Sequence, residues 1–558
     1  MTETELKFGV DPARAAAIDA ALRRLPSKRL TIETHYYDSA DGRLGASRLA
    51  LRLRRVGRRW EQTLKAPGDA AIERHEETVP RPGRWNAAGP PPHPALHAGT
   101  PAGAALEQAL RSDDAPPALL QRVSSTLLVR RQLEIEAHGA IVELAFDRGT
   151  IAAGDLTRPV CELEYELKSG PPGALVALAK AGVAAHGLWL RSASKAERGE
   201  RLAHGDLPAP AVKARPPALH RKMSGGQILR AALQACLEQA LANAGELADG
   251  PPREDGVHQL RIGLRRLRTA ARELGAMEPG FDAHWEPALA AAFRALGAYR
   301  DRDTVVRTIE PRLRDAGSPQ PTLHADAAEP PDPVAVVREP AFQCALLDAL
   351  HEVLNDRRAP DQAIDPRQGR AAVGAAAVGD AAVGDAGVHD AAVRDTAVHD
   401  AAVHAAAIGD AAVGPAVGHG GKAASADSAA RALRRIDARL SKLQRRLRRG
   451  ARDFARLDEP GQHQVRKRLK RLRYLAELVG PLYTRAKVER FLERLRPAQD
   501  ALGAHVDLIV AERMARSAAE AGDALAWFNV GWLTAQRPDS TRRCAKALRR
   551  AAQAPRFW

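Results

Sequence analysis

The sequence predicts two unlike halves: an α+β domain over residues 1–202, built mainly of strands with flanking helices, and an all-α domain over residues 222–558. Three observations carry that division. As far as Lys168, charged and apolar residues alternate with the period of two that a strand imposes on its faces. Beyond Lys222 the apolar residues recur at three and four, the period of a helix packed on one side. Between the two, residues 203–221 contain Leu-Pro-Ala-Pro-Ala-Val-Lys-Ala-Arg-Pro-Pro, which reads as a linker because proline neither continues a helix nor donates to a strand ladder. At 558 residues the chain is also too long for one core.

In chain order, Glu3, Glu5 and Lys7 alternate with Thr4 and Leu6, so a first strand carries three charges on one face. A short Ala/Arg/Leu helix follows over residues 11–25. Strands come next at Thr31–Asp38 and, past an Asp41-Gly42 turn, at Leu49–Arg55, where Arg52 and Arg54 share a face. Trp60–Lys65 and Arg74–Val79 continue the pattern, with Arg74 and Glu76 on one side. Pro-rich residues 80–101 form a loop and 102–112 a helix; strands resume at Leu127–Glu136, Ala140–Asp147 and Val160–Lys168, before a helix at 173–186. The last strand puts Glu162, Glu164, Glu166 and Lys168 on one face. Faces so charged, strand after strand, fit either a wet exterior or the polar lumen of a barrel. The alternating Leu6, Leu51, Leu53, Leu163, Tyr165 and Leu167 need a core, which helices 11–25 and 173–186 can supply from outside.

Lys7, Arg52, Arg54, Lys65 and Arg130 are cations suited to phosphate oxygens, the arginines bidentately. Glu3, Glu5, Glu162 and Glu164 are hard oxygen donors suited to Mg²⁺ or Mn²⁺. Brought together, they meet the needs of metal-assisted phosphoanhydride hydrolysis. The sequence has no Gly-x-x-x-x-Gly-Lys loop, so the chemistry would not be that of a P-loop enzyme. Each charge taken alone is more simply a solvated strand face; the joint arrangement favours a site.

The run from Glu3-x-Glu5-x-Lys7 through Tyr37-Asp38, Leu51-Arg52-Leu53-Arg54, Thr63-Leu64-Lys65, Arg74-x-Glu76, Arg130, Glu143 to Asp147, Cys161-Glu162-Leu163-Glu164 and Ser194-Lys195 resembles the CYTH domain of the triphosphate tunnel metalloenzymes. It covers residues 1–202 and looks most like the bacterial inorganic triphosphatase subgroup. The resemblance implies an eight-stranded antiparallel tunnel with catalytic duty for Glu3, Glu5, Lys7, Arg52, Arg54, Lys65, Glu162 and Glu164. It implies triphosphate binding by Lys7, Arg52, Arg54, Lys65, Arg74, Arg130 and Lys195. A divalent cation, Mg²⁺ or Mn²⁺, would be held by Glu3, Glu5, Asp147, Glu162 and Glu164. At Arg130-Arg131 either arginine could face inward.

The helical half is expected at 224–249, 255–276, 282–298, 302–315, 339–356, 426–456, 461–479, 484–502 and 504–521, and on to the end. Its dominant feature is His-Gln-Leu-Arg-Ile-Gly-Leu-Arg-Arg-Leu-Arg at 258–268, echoed by His-Gln-Val-Arg-Lys-Arg-Leu-Lys-Arg-Leu-Arg at 463–473. His258, Arg261, Arg265, Arg268 and Arg272 fall on one helical face, as do His463, Arg466, Lys470 and Arg473. Leu260, Leu264 and Leu267, and Val465, Leu469 and Leu472, fall on the opposite faces. Solvated helices usually interleave acids with bases, but no Asp or Glu occurs over 256–272 or 461–476. Like charges at that spacing repel, a cost that a polyanion would relieve. The histidines read better as phosphate contacts that strengthen when protonated than as general acids.

A second echo, Leu-Gly-Ala-Tyr-Arg-Asp at 296–301 and Leu-Gly-Ala-His-Val-Asp at 502–507, accompanies the first. With it the helices resemble the CHAD domain, a frequent neighbour of CYTH. The resemblance implies two duplicated helical bundles, 222–357 and 426–558. They would share a groove binding long-chain polyphosphate through His258, Arg261, Arg265, Arg268, Arg300, His463, Arg466, Lys467, Lys470 and Arg473, and so associate with polyphosphate granules. Val506 stands where the first copy has Arg300, so the halves are not equivalent. Residues of about 368–425 interrupt this half with Ala-Ala-Val-Gly-Asp pentads at 371–415, a period that gives no apolar stripe and reads as a disordered insertion. A metal tract of His389, His399, His404 and His419 rests on number alone.

The formal net charge of +16 points to an anionic partner, while 4% aromatics disfavours base-stacking nucleic-acid platforms. Four scattered cysteines give neither a disulfide framework nor a metal spacing. Neither a signal-peptide pattern nor an apolar run able to span a bilayer is apparent, so a cytoplasmic protein is expected. The leading expectation is hydrolysis of inorganic triphosphate with polyphosphate bound by the helical half. Its competitors are a non-catalytic polyphosphate-binding protein, a tunnel enzyme acting as adenylate cyclase or thiamine-triphosphatase, and, disfavoured, a nucleic-acid binder.

Overall fold

The computed structural model describes residues 2–68, 73–86, 89–111, 119–323, 331–354 and 421–558. The pentads and the four histidines among and after them lie outside the described residues. So do the side chains of residues 300–304, Arg300 included. Eight antiparallel strands form the N-terminal part: β1 Thr2–Gly9, β2 Lys28–Ser39, β3 Ala50–Val56, β4 Arg59–Pro67, β5 Glu73–Arg81, β6 Leu120–Ala137, β7 Ala140–Ala153 and β8 Leu156–Ser169. They neighbour one another in the order β5-β4-β3-β2-β6-β7-β8-β1, and pairing of β1 with β5 closes the barrel. The two-residue β9, Trp189–Leu190, pairs outside this circuit with β1.

Directly opposed residues of antiparallel strands share a face. The register opposes Arg130 to Asp147, Asp147 to Glu162, Lys7 to Glu164, Lys65 to Glu76 and Glu3 to Arg74. The charged faces therefore meet inside, as a lumen. Outside, Leu6, Phe8, Val142, Leu144, Phe146, Leu163 and Tyr165 are buried in one cluster with Ile18 and Leu22 of helix Ala15–Arg23 and Leu175, Leu178 and Val183 of helix Pro172–His186. Arg131 also faces outward, onto Asp19 at 2.9 Å, which leaves Arg130 as the inward arginine.

Helices over Gly225–Asp249, Glu254–Leu274, Glu286–Asp315, Pro333–Arg338, Pro340–Leu354, Gly421–Asp453, Glu459–Val479, Arg485–Glu520 and Ala526–Ala552 make up the rest. Two expected breaks are absent: 282–298 and 302–315 are one helix, as are 484–502 and 504–521. Gly297 and Gly503, near those positions, each cost only about 1 kcal/mol in a helix interior, which tertiary packing overrides. The apolar stripes of both basic helices are fully buried. Arg266 is the exception on that side: 2% exposed, it donates to Gln239 Oε1 and to the Arg215 carbonyl, both at 3.0 Å.

The Pro-rich segment lies along the helices. Asn243 accepts from Val212 N at 3.0 Å and donates to Val212 O at 2.9 Å, and Arg221 donates to Leu482 O at 3.1 Å. The helices flanking the barrel also pair with this half: Lys180 with Asp348 of helix Pro340–Leu354 at 2.6 Å and Arg201 with Glu246 of helix Gly225–Asp249 at 2.6 Å. No helix among the described residues is long and apolar enough to cross a membrane.

Candidate active site and basic groove

The lumen encloses a cavity of about 790 Å³ lined by Glu3, Glu5, Lys7, Arg52, Arg54, Lys65, Arg74, Arg130, Glu164 and Lys195. Every strand that lines it contributes through its charged period, and one helix adds the last cation. Ser194 caps helix Lys195–Ala203 by accepting from Glu197 N at 3.2 Å, and Glu197 returns the bond to Ser194 N at 2.7 Å. That capping box fixes Lys195 at the first helical position, facing inward. This helix went unseen in the sequence, although Ser-x-x-Glu at 194–197 was its signal.

Asp147, Glu162 and Glu164 each bring a carboxylate oxygen within 4.8 Å of the others, all three residues buried. Lys195 Nζ sits among them, 2.9 Å from Asp147 Oδ2 and 2.7 Å from Glu164 Oε1, and it pairs with Glu162 Oε1. Arg130 forks onto both oxygens of Asp147 at 2.7 Å and reaches Glu164 Oε2 at 2.7 Å. Burial alone would raise the Glu162 carboxyl, but Lys195 and Arg198 bring it down to about 2. Glu164 is likewise held well below the usual range, against burial, by Lys195 and Arg130. A buried, all-oxygen donor set fits a hard divalent cation.

The five carboxylates expected as one metal set fall into two groups. Glu3 and Glu5 stand on β1 with Glu76 of β5. Lys65 Nζ pairs with Glu3 and Glu76 at 2.6 Å each, Arg52 with Glu76 at 3.2 Å, and Lys7 with Glu5 at 2.5 Å. Burial and the neighbouring Glu5 push the Glu3 carboxyl up to about 7. Glu76 anchors two of the expected phosphate cations, a role its alternation with Arg74 only hinted at. Arg54 is the crowded cation: burial, Arg52 and Arg130 lower it to about 10, and its carboxylate Glu61 is 3.9 Å away. Two further arginines were missed. Arg198 and Arg191 both donate to Glu162 Oε2, at 2.7 and 3.1 Å.

The basic helices meet across a second cavity of about 760 Å³, lined by His258, Arg261 and Arg265 from one and His463, Arg466, Lys470 and Arg473 from the other. Gly297 makes room for it: a Cβ there would come within 2.7 Å of Arg261 Nη1. Arg261 and Arg265 lie 4.9 and 4.6 Å from the Phe293 ring centroid, where the face of the ring attracts a cation. Acids outside the stretches 256–272 and 461–476 reach some of these cations, from the next helix at Glu286 and from the end of the same helix at Glu477. Glu286 takes Arg268 at 2.7 Å and Arg272 at 3.1 Å, while Glu477 takes Arg473 at 2.5 Å. Arg268 and Lys467 are not among the residues lining the cavity. Buried His505, unforeseen, lines it and contacts Gln462 Oε1 at 2.8 Å. Partial burial, Lys467, Arg466, Lys470 and Arg265 lower the His463 pKa.

The CYTH domain model matches residues 1–199 and the CHAD domain model residues 231–516. An inorganic triphosphatase of Haemophilus influenzae is 30% identical over 205 residues, which are 36% of this chain and 55% of that protein. The chain thus spans about half the length of this curated relative. Among solved structures, the CHAD domain from the plant Ricinus communis aligns with a TM-score of 0.38 at 22% identity, covering 62% of this chain and 98% of that one. A putative adenylyl cyclase from Hippeastrum, described as having a dominant triphosphatase activity, aligns with a TM-score of 0.25 at 18% identity, covering 34% and 91%.

Proposed function

We propose that this chain, which belongs to the CHAD domain family and carries a CYTH domain over residues 1–199, hydrolyses inorganic triphosphate to pyrophosphate and phosphate in the barrel and binds long-chain polyphosphate in its helical groove. The observation that carries the first part is a lumen ringed by cations, with the buried carboxylates of Asp147, Glu162 and Glu164 gathered on two of them, Lys195 and Arg130. Arg54 is the telling member, because its lowered pKa marks a place where another anion would be welcome. Lys7, Arg52, Arg54, Lys65, Arg74, Arg130 and Lys195 would hold the phosphoryl oxygens. Asp147, Glu162 and Glu164, with Glu3 and Glu5 across the lumen, would hold Mg²⁺ or Mn²⁺. When bound, the cation supplies Lewis acidity at a phosphoryl oxygen and an acidified water.

The remaining chemistry belongs to the chain itself. Lys195 and Arg130 neutralise the triad in the free lumen; an entering triphosphate offers them new oxygens, so they turn to the substrate and free the carboxylates. Closure of the sheet and the helix bearing Lys195 keep these charges in a water-poor space, where each charge-assisted bond is stronger than in solvent. The test is phosphate release from triphosphate, ATP, thiamine triphosphate and long-chain polyphosphate, with and without Mg²⁺ or Mn²⁺. Triphosphate should be cleaved fastest, and chelation should stop it. Faster cleavage of ATP or thiamine triphosphate would reassign the tunnel, and binding without release would make it a polyphosphate holder.

The groove reading is favoured by the facing of His258, Arg261 and Arg265 across one cavity from His463, Arg466 and Lys470. A thin flexible polyanion fits such a channel better than a duplex does. Association with polyphosphate granules in the cell would follow.

A further inference from the structure

We propose that Asp249, in the helical region, is a positioning residue for Glu162 in the barrel, acting through Arg191. The proposal rests on the reading of Glu162 as a metal ligand. Arg191 follows directly on β9 and spans the boundary between the two parts of the molecule. Its Nη1 donates to Glu162 Oε2 at 3.1 Å, while Nε and Nη2 donate to the two oxygens of Asp249 at 2.6 and 2.7 Å. The paired bonds fix the plane of the guanidinium, and so the direction in which its remaining donor points. With Oε2 held by Arg191 and Arg198, Glu162 turns Oε1 to Lys195, the ammonium it shares with Asp147 and Glu164.

The helical region grips the rest of this short segment as well. Trp189 Nε1 donates to Asp249 Oδ1 at 2.7 Å, and the Arg338 guanidinium lies 3.9 Å from the centre of the Trp189 ring. Leu190 N donates to Gln343 Oε1 at 2.8 Å. On the other side Arg191 N donates to the Lys7 carbonyl at 2.8 Å. Asp249 also matters by its charge. An arginine bonded to a metal-binding carboxylate competes with the metal, and a second carboxylate on that arginine offsets the competition. Losing Asp249 would free the guanidinium to move and leave its whole charge on Glu162.

The experiment compares full-length wild type with Asp249→Asn, Asp249→Glu and Lys180→Ala. Mn²⁺ binding is titrated calorimetrically without substrate, triphosphate kcat and KM are measured across Mn²⁺ concentrations, and melting is recorded. Asp249→Asn keeps an oxygen for Trp189 but loses the charge on Arg191. It should weaken Mn²⁺ binding by roughly 10- to 100-fold, the scale of lost outer-shell partners. The Mn²⁺ needed for half-maximal kcat should rise in parallel, while KM for triphosphate at saturating Mn²⁺ and the melting temperature stay put. Asp249→Glu should recover most of the Mn²⁺ affinity. Lys180→Ala breaks a different contact between barrel and helices and should bind Mn²⁺ as wild type does. Should Asp249→Asn fail to fold, Arg191→Lys keeps the charge but loses the fork, and it should weaken Mn²⁺ binding on the same scale. Wild-type Mn²⁺ affinity in the folded variant, an equal loss in Lys180→Ala, or a wild type that binds no Mn²⁺ overturns the proposal. A wild type that binds Mn²⁺ but releases no phosphate overturns only the triphosphatase reading.

Discussion

In the barrel, Lys65, Arg130 and Lys195 each contact two or more carboxylates; in the groove, Arg261 and Arg265 lie against the ring of Phe293. Both regions gather cations from elements far apart in sequence, yet they seat them differently: on carboxylates inside a closed barrel, and along two facing helices. The lumen is internally compensated, so a ligand enters by exchanging partners, and each exchange depends on geometry. The groove sets the cations of two facing helices along one cavity, where a polyanion would be drawn in by the field and by release of counterions. A balanced, enclosed site suits selective chemistry on a short substrate; a basic channel between two helices suits retention of a long chain of no fixed register.

The largest expected effect breaks the balanced side. Glu162→Gln or Glu164→Gln should lower metal-dependent phosphate release by more than about 100-fold, beyond the scale of outer-shell losses, while equilibrium dialysis still finds triphosphate bound within a few-fold of wild type. Loss of binding in step with turnover would mean that the triad holds phosphate cations rather than metal. Next comes Arg52→Ala or Lys65→Ala. Each removes a charge-assisted bond of about 1.5–3 kcal/mol and should raise the triphosphate KM by roughly 10- to 100-fold; an unchanged KM would put these cations outside the substrate's reach.

The groove should respond more gradually. Arg261→Glu with Arg265→Glu, or Arg466→Glu with Lys470→Glu, should weaken long-chain polyphosphate by roughly 10-fold and flatten the dependence of log K on log salt. Release of phosphate from triphosphate should be unaffected. Fluorescence titrations at three salt concentrations decide it, and an unaltered slope would return these helices to ordinary surface. The smallest effect is that of pH. Burial and its cationic neighbours depress the His463 pKa; a bound polyanion would raise it again, so binding would take up a proton. Affinity should therefore rise a few-fold as pH falls from about 8 to about 5.5, through the ordinary histidine range, and His463→Ala should remove part of that rise.

Strand phase was legible because it depends on neighbours in sequence: alternation alone put Arg52 with Arg54 and Glu162 with Glu164. Closure of the barrel was not, since it depends on β1 meeting both β8 and β5, pairings that no local period encodes. Adjacent Arg130 and Arg131 defeated phase altogether, and only the register opposite Asp147 separates them. Arg191 escaped notice because a two-residue strand has no period. Arg266 sits on the apolar side of a basic helix, where an arginine is indistinguishable from its neighbours until Gln239 and the Arg215 carbonyl appear beside it. The facing basic helices were suggested by their repeated pattern, but nothing in the pattern announced that Phe293 and Gly297 would seat their arginines.

The apolar cluster that begins at Leu6 in β1 runs through the helices flanking the barrel and continues without interruption to Phe557. Where that interior is shared, melting of one part would expose apolar surface of the other. Barrel and helices would thereby be joined in cooperativity as well as in sequence, since Leu175 and Phe8, the residue next to Lys7 on β1, belong to that same cluster. Packing in the helical region would then oppose fluctuations that open the lumen, and the rigidity of the site would draw on helices as well as strands.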